Sequence, residues 1–315
     1  MTQYIGNGAY CYANSTAMLL ASIGEKIPPS TIEVLTGVGL GAMWVDDLLY
    51  FSSWSGMPDN GISRALRILG FEFEEKYSQD GEQLPIRQLQ QDLQKSPVVL
   101  GPLDMGYLQY NPNYKNLFGV DHYVLAYAID DEYIHVHDPA GFPFVSLSHA
   151  LLERAWKADK VFYRKNSYRN WISPLRTSSP TAEDIYQQAT AFFKSIYKES
   201  QEYAEKENKL YGKEAITALA DKIKDGYVAP HLIGHLSYFA FSVGSRRSGD
   251  FADFFRPFNK ELSDLKLEQG NLLGKCQLNM VQNNFHNVSD ALMELACVEN
   301  EFCEELLKYT LYSAG

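Results

Sequence analysis

Apolar residues recur along the chain in two rhythms, and the change falls between Ser167 and Pro180. Before it, segment 11–24 (CYANSTAMLLASIG) carries Ala13, Ala17, Leu20 and Ala21 on one side at helical spacing, and Gly24 ends the pattern. Residues 122–129 (HYVLAYAI) and 133–141 (YIHVHDPAG) are rich in β-branched and aromatic types, and the polar 130-DDE between them predicts a hairpin. Shorter strands are expected at 97–100 and 145–147. After the change, residues 181–209 set Ile185, Ala189, Phe192, Phe193, Ile196 and Tyr197 on one broad face, with Ser179 or Thr181 as the cap. A last helix is expected over 289–309, turning Leu292, Leu295, Phe302 and Leu306 toward a core. Gly212, Gly226, Pro230 and then Gly244 through Gly249 punctuate the stretch between, predicting a bundle of five or six helices. Segment 166–180, with Pro174, Pro180 and a Ser/Thr cluster, reads as the boundary. The expectation is an α+β domain over 1–165 and an all-α helical domain over 175–315, without a fixed-period repeat.

Composition narrows the class. Of 315 residues, 45% are hydrophobic and 21% charged, which excludes a disordered or fibrous chain. Twenty-eight Lys and Arg against thirty-nine Asp and Glu give a net charge of -11. That balance offers no broad positive footprint, so neither nucleic acid nor an anionic membrane is an expected partner. The N-terminal MTQYIGNGAYC lacks a basic segment followed by an apolar one, and no apolar run suffices for a span. A cytoplasmic location is the expectation. Cysteines 11, 276, 297 and 303 show no zinc or redox spacing and are expected to stay reduced. The last three lie in helical texture and read as structural thiols.

The remaining cysteine changes the picture. Cys11 heads the first helix, where the partial positive charge of a helix N-terminus stabilises a thiolate. His122 opens the first strand of the hairpin and Asp138 closes the second, just before Pro139. Antiparallel pairing brings these strand ends together, so that the carboxylate can orient the imidazole and the imidazole can take the thiol proton. Taken singly, each has another reading: a small core residue, a satisfied strand histidine and a turn former.

The words 10-YCYANSTAMLLASIG, 35-LTGVGLGAMW, 104-DMGYLQY and 122-HYVLAYAIDDEYIHVHDPAG resemble the family named for the N-terminal domain of butirosin-biosynthesis protein H, papain-like cysteine acyltransferases. The His-strand and strand-Asp-Pro pattern is also similar to that of peptidases cleaving double-glycine leaders. The resemblance covers 1–165 and extends more loosely to the helical remainder. It implies a papain-like cysteine-protease fold followed by an all-α domain, with Cys11 as nucleophile, His122 as base and Asp138 as its orienting acid. It further implies an acyl carrier protein with a phosphopantetheine-linked donor, a small amine acceptor, and no cofactor or metal. Two departures stand out. The Gln that many papain-like enzymes carry six residues before the nucleophile is Ile5 here, leaving Gln3 or Asn7 to complete the oxyanion hole. Tyr10 and Tyr12 flank the cysteine where the family commonly has His and an acid. A cysteine peptidase or amidase, and an inactive binding module, remain the alternatives.

Other features are weaker. Gly39 and Gly41, with Trp44, are candidates for a substrate-pocket rim, and Asp104, Tyr107 and Tyr110 for contacts to an amine acceptor. His135 with His137, and His231 with His235, do not match a zinc spacing. Arg246 and Arg247 read as a glycine-bounded turn, and the helical domain could supply a homo-oligomer interface.

Overall fold

Near-continuous burial marks the strand that carries the candidate histidine. In the computed structural model, which describes residues 3–6, 8–79, 81–226 and 228–308, Tyr123, Val124, Leu125 and Ala126 are all at most 1% exposed. Both faces of that strand are therefore covered. The elements run α1 (Cys11–Ala21), α2 (Pro29–Thr36), β1 (Met43–Val45), β2 (Leu48–Tyr50), α3 (Pro58–Ile68), β3 (Phe71–Ser78), α4 (Ile86–Leu93), β4 (Val98–Asp104), β5 (Asp121–Ile129), β6 (Tyr133–Asp138), β7 (Phe142–Ser148), α5 (His149–Lys157) and β8 (Ser167–Arg176). Then come α6 (Ala182–Lys206), α7 (Lys213–Lys224), α8 (Pro230–His235), a π-helical turn (Leu236–Ala240), α9 (Phe241–Phe255), α10 (Lys260–Val281) and α11 (Phe285–Lys308). The architecture is mixed α and β, with a six-stranded antiparallel sheet and a helical C-terminal region.

Two compact units share the chain: residues 1–33 with 58–179, and residues 34–57 with 180–315. The first holds the sheet, in the order β3-β8-β4-β5-β6-β7. On one face α1 packs against β5, the Tyr12 and Tyr123 rings meeting edge to face at 5.8 Å. Ser15 Oγ donates to the Tyr123 carbonyl at 3.1 Å. The other face packs Val124, Ala126, Ile134 and Val136 against Leu152, Ala155 and Trp156 of α5. The expected β5–β6 hairpin forms without glycine because Asp130 Oδ1 accepts from the N–H groups of Glu132 and Tyr133 at 2.9 and 2.8 Å.

Segment 166–180, expected as a linker, contains β8, which lies between β3 and β4. Pro174 sits where the β3–β8 register slips between the Glu72↔Leu175 and Glu74↔Ile172 pairs, a position that needs no ladder donor.

The second unit packs α6 to α11, six helices among the described residues, with the excursion 34–57. Its division from the first unit thus differs from the 1–165 and 175–315 split. Leu49 and Phe51 join the helical core, Trp44 Nε1 donates to the Ala215 carbonyl at 3.1 Å, and Gly212 N donates to Ala42 O at 2.8 Å. Thr181 caps α6 in a reciprocal box with Asp184. Gly244 and Gly249 do not break the chain; both lie inside α9. A methyl group at Gly244 would stand 3.1 Å from Phe51 and 3.2 Å from Leu273, so the glycine admits a close helix crossing. Arg246 and Arg247 accordingly sit on a helix, not in a turn. Among the described residues, no helix is long and apolar enough to cross a membrane.

Candidate functional site

The chain enters α1 through a tight reversal. Gly8 and Tyr10 both have left-handed backbones, with φ of 76° and 59°. For tyrosine that conformation is strained, and surrounding bonds must enforce it. Asn14 Nδ2 donates back to the carbonyls of Ala9 and Tyr10 at 2.6 and 3.0 Å, and Gly8 N donates to Pro139 O at 3.1 Å. Cys11 is thereby fixed as the first residue of α1, with no acidic side chain in its first turn to offset the positive helix end.

His122 is 5% exposed and Asp138 fully buried, and His122 Nε2 lies 2.7 Å from Asp138 Oδ1. The Cys11 thiol and the His122 ring are close enough for each to shift the other's titration. With Nε2 engaged by the carboxylate, the nitrogen facing sulfur is Nδ1. Thiol, imidazole and carboxylate thus come from a helix start, a strand start and a strand end of the same unit.

Electrostatics set the proton distribution. Burial disfavours an imidazolium, but the Asp138 charge and the neighbouring sulfur outweigh it and hold His122 well above the ordinary histidine range. Burial also pushes the Cys11 thiol up; the His122 charge and hydrogen bond and the Tyr123 N–H pull the other way, while Asp121 adds to the rise. Burial raises Asp138, yet the His122 charge and hydrogen bond, the Ala140 N–H and the Tyr110 hydroxyl together leave it below the usual carboxylate value.

The turn after Asp138 is built by the same side chain. Ala140 N donates to Oδ1 at 2.7 Å, and Tyr110 OH donates to Oδ2 at 2.9 Å. Tyr4 OH donates to the Asp138 carbonyl and accepts from Gly141 N, both at 3.1 Å. Asp138 is both turn former and histidine partner.

The remaining sequence candidates separate. Gln3 is exposed, and Asn7 lies outside the described residues. Asp104 is 1% exposed and accepts from the N–H groups of Gly106 and Gly119 at 2.8 and 3.0 Å, so it shapes its own loop. Tyr107 packs edge-on to Phe118 at 5.3 Å. Tyr110 reaches the carboxylate of Asp138. Gly39, Gly41 and Trp44 belong to the second unit, where Gly39 abuts Arg247 and Phe251, and Gly41 abuts Tyr211. His135 bonds Ser146 Oγ and Asp130, and His137 is stacked among Tyr4, Tyr127 and Phe144. Tyr4 and Asn14 were missed by sequence reasoning. Asn14 had a local signal, a polar amide in the first turn of a helix entered without a Ser, Thr or Asp cap; Tyr4 had none.

Residues 205–307 match the YobF C-terminal domain family. Over 309 residues the chain is 44% identical to the uncharacterized protein YobF of Bacillus subtilis (strain 168), covering 98% of this chain and 99% of that relative. The likeness therefore extends across both units.

Proposed function

The chain belongs to the YobF family, and we propose that its first unit is a cysteine-dependent acyltransferase of papain-like build. The observation that carries this reading is the bond of His122 to buried Asp138, with the same ring electrostatically coupled to Cys11 at the head of α1. A nucleophile-bearing helix packed on an antiparallel sheet, with base and acid on consecutive strands, supports the papain-like assignment.

In this mechanism the Cys11 sulfur attacks the carbonyl carbon of an acyl thioester, forming an S–C bond while the proton rests on the His122 ring. The oxyanion of the tetrahedral intermediate meets the backbone N–H at the start of α1. Collapse breaks the donor C–S bond, and His122 gives its proton to the departing thiolate. An amine then attacks the acyl-cysteine, His122 takes the amine proton, and the C–S bond to Cys11 breaks as the amide forms. Asp138 keeps the ring turned and stabilises its charged form throughout. By the sequence resemblance, the donor is carried on a phosphopantetheine arm and the acceptor is a small amine.

The test uses a simple acyl thioester of N-acetylcysteamine and intact-protein mass. An adduct on Cys11 is expected, discharged faster by amines than by water. Cys11→Ala should abolish it, and His122→Ala should slow acylation by about a hundredfold or more. Undiminished turnover in Cys11→Ala, or a trapped intermediate on another residue, overturns the assignment. An adduct that releases acid and ignores every amine selects the hydrolase instead.

A further inference from the structure

Asp138 must satisfy two oxygens in a site closed to water, and only one faces the histidine. Oδ1 accepts from the His122 ring and from Ala140 N, both at 2.7 Å. Oδ2 accepts from the hydroxyl of Tyr110 at 2.9 Å. A carboxylate buried to 0% exposure with one oxygen unsatisfied is costly, and without a partner on that oxygen the other is held less firmly toward the ring.

We propose that Tyr110 is a positioning residue for His122: its hydroxyl holds the second oxygen of Asp138 and so keeps the first one aimed at the ring nitrogen. The inference rests on the acyl-transfer reading and adds a residue that touches none of the reacting atoms. Three features build the contact. Asp104 closes the start of the loop by accepting from Gly106 and Gly119. The loop then runs through Met105–Tyr107, a single 3-10 turn capped by that carboxylate. Phe142, which begins β7 beyond the Asp138 turn, meets the Tyr110 ring at 5.7 Å. The Phe142 contact packs the ring whose hydroxyl meets Asp138.

The contact also sets a sign. A hydrogen bond donated to a carboxylate disperses its charge and weakens its pull on the imidazolium. The titratable groups around the pair are Cys11 on α1, Asp121 on β5, Tyr4 on the N-terminal segment and Tyr110 itself. Among these groups, Tyr110 is the one whose side chain donates to a carboxylate oxygen of Asp138, alongside His122. Removing its hydroxyl leaves a more concentrated charge on Asp138. The His122 ring should then titrate higher, even as its orientation loosens. Removing the charge altogether should do the reverse.

The experiment compares Tyr110→Phe, Asp138→Asn and, as a control in the same loop, Tyr114→Phe, in the full chain. The His122 ring is followed by NMR titration, and Cys11 by its rate of alkylation with iodoacetamide at pH 7. Tyr110→Phe should raise the ring pKa by about half a unit or more, and Asp138→Asn should lower it. A charged ring favours the thiolate, so alkylation should quicken in the first variant and slow in the second. Tyr114→Phe should change neither. Acyl transfer should fall in both Tyr110→Phe and Asp138→Asn, because the ring is less well aimed. If Tyr110→Phe proves unstable, 3-fluorotyrosine at position 110 keeps the size while strengthening the donor, and should move the ring pKa down. A ring that responds to Asp138→Asn but not to Tyr110→Phe or the fluorinated residue overturns the inference and leaves Tyr110 as packing. A ring indifferent to Asp138→Asn as well overturns the underlying Cys-His-Asp reading.

Discussion

At the scale of single residues, the thiol's environment makes a reactivity prediction with a definite sign. Cys11 is held above the ordinary cysteine value, chiefly by burial, with Asp121 adding to the rise and His122 opposing it. The thiolate fraction of the free protein should therefore keep increasing through pH 7 to 9, without a plateau on the acid side. His122→Ala removes the main opposing influence and should slow alkylation across that window. Asp121→Asn removes a raising charge and should accelerate it, by about threefold if the thiol pKa falls by about 0.5. An iodoacetamide rate already flat below pH 7 would contradict this environment. Cys11, His122 and Asp138 stood out in the sequence because each ends or begins an element, where turn and strand signals are strongest. The bond of Tyr110 to Asp138 was not legible: it spans 28 residues, and no periodicity encodes a hydroxyl's direction.

At the scale of elements, the sequence was clear where residue types and turn signals decide and opaque where neighbours decide. The hairpin and the first helix follow from local pattern. β8 does not, because Pro174 and its polar surroundings resemble a linker, and only flanking β3 and β4 supply the ladder that makes it a strand. Gly244 and Gly249 look like breaks, yet both lie within α9; Gly270 of α10 approaches the Ser245 carbonyl across the α9–α10 crossing. That helical packing also encloses a lysine. Lys266 on α10 is 2% exposed, donates to Gln269 Oε1 at 2.8 Å and lies 3.9 Å over the Phe302 ring of α11. Gln269 in turn donates to Glu299 Oε2 at 2.8 Å, whose other oxygen accepts from Tyr197. Burial lowers Lys266 to about 8 from 10.5, against a smaller opposing pull from Glu299. Because the folded value is the lower one, the unfolded chain binds more protons between these limits, and stability from this group rises with pH there. Urea denaturation of the protein and of Lys266→Met should give a stability difference that grows in the protein's favour from pH 8 to 10.5, cancelling titrations common to both. A difference that stays level would show that the lysine titrates normally.

At the scale of the whole molecule, the chain does not spend its residues in the order a linear reading assigns them. The change of texture near residue 170 locates the start of the helical stretch, but the second unit also takes residues 34–57 from the middle of the first. Nothing in local periodicity announces this, since Ala42, Leu49 and Phe51 would suit any core. What places them is complementarity to α7, α9, α10 and α11, which enclose Leu49 completely and leave Phe51 9% exposed. The family match over 205–307 falls inside the helical unit and excludes that excursion. A fragment comprising 180–315 therefore lacks core side chains worth about 1.5–3 kcal/mol for each large one buried, together with the backbone bond from Gly212 to Ala42. It should bind a hydrophobic dye and unfold over a broad urea range, as expected of loose packing. Residues 34–57 joined to 180–315 through a flexible linker should restore a sharp transition and shed the dye. Replacing Leu49 and Phe51 by Ser in the joined fragment should abolish that recovery. Cooperative unfolding of 180–315 alone, without dye binding, would show that the helices complete their own core and that the excursion merely lies against them.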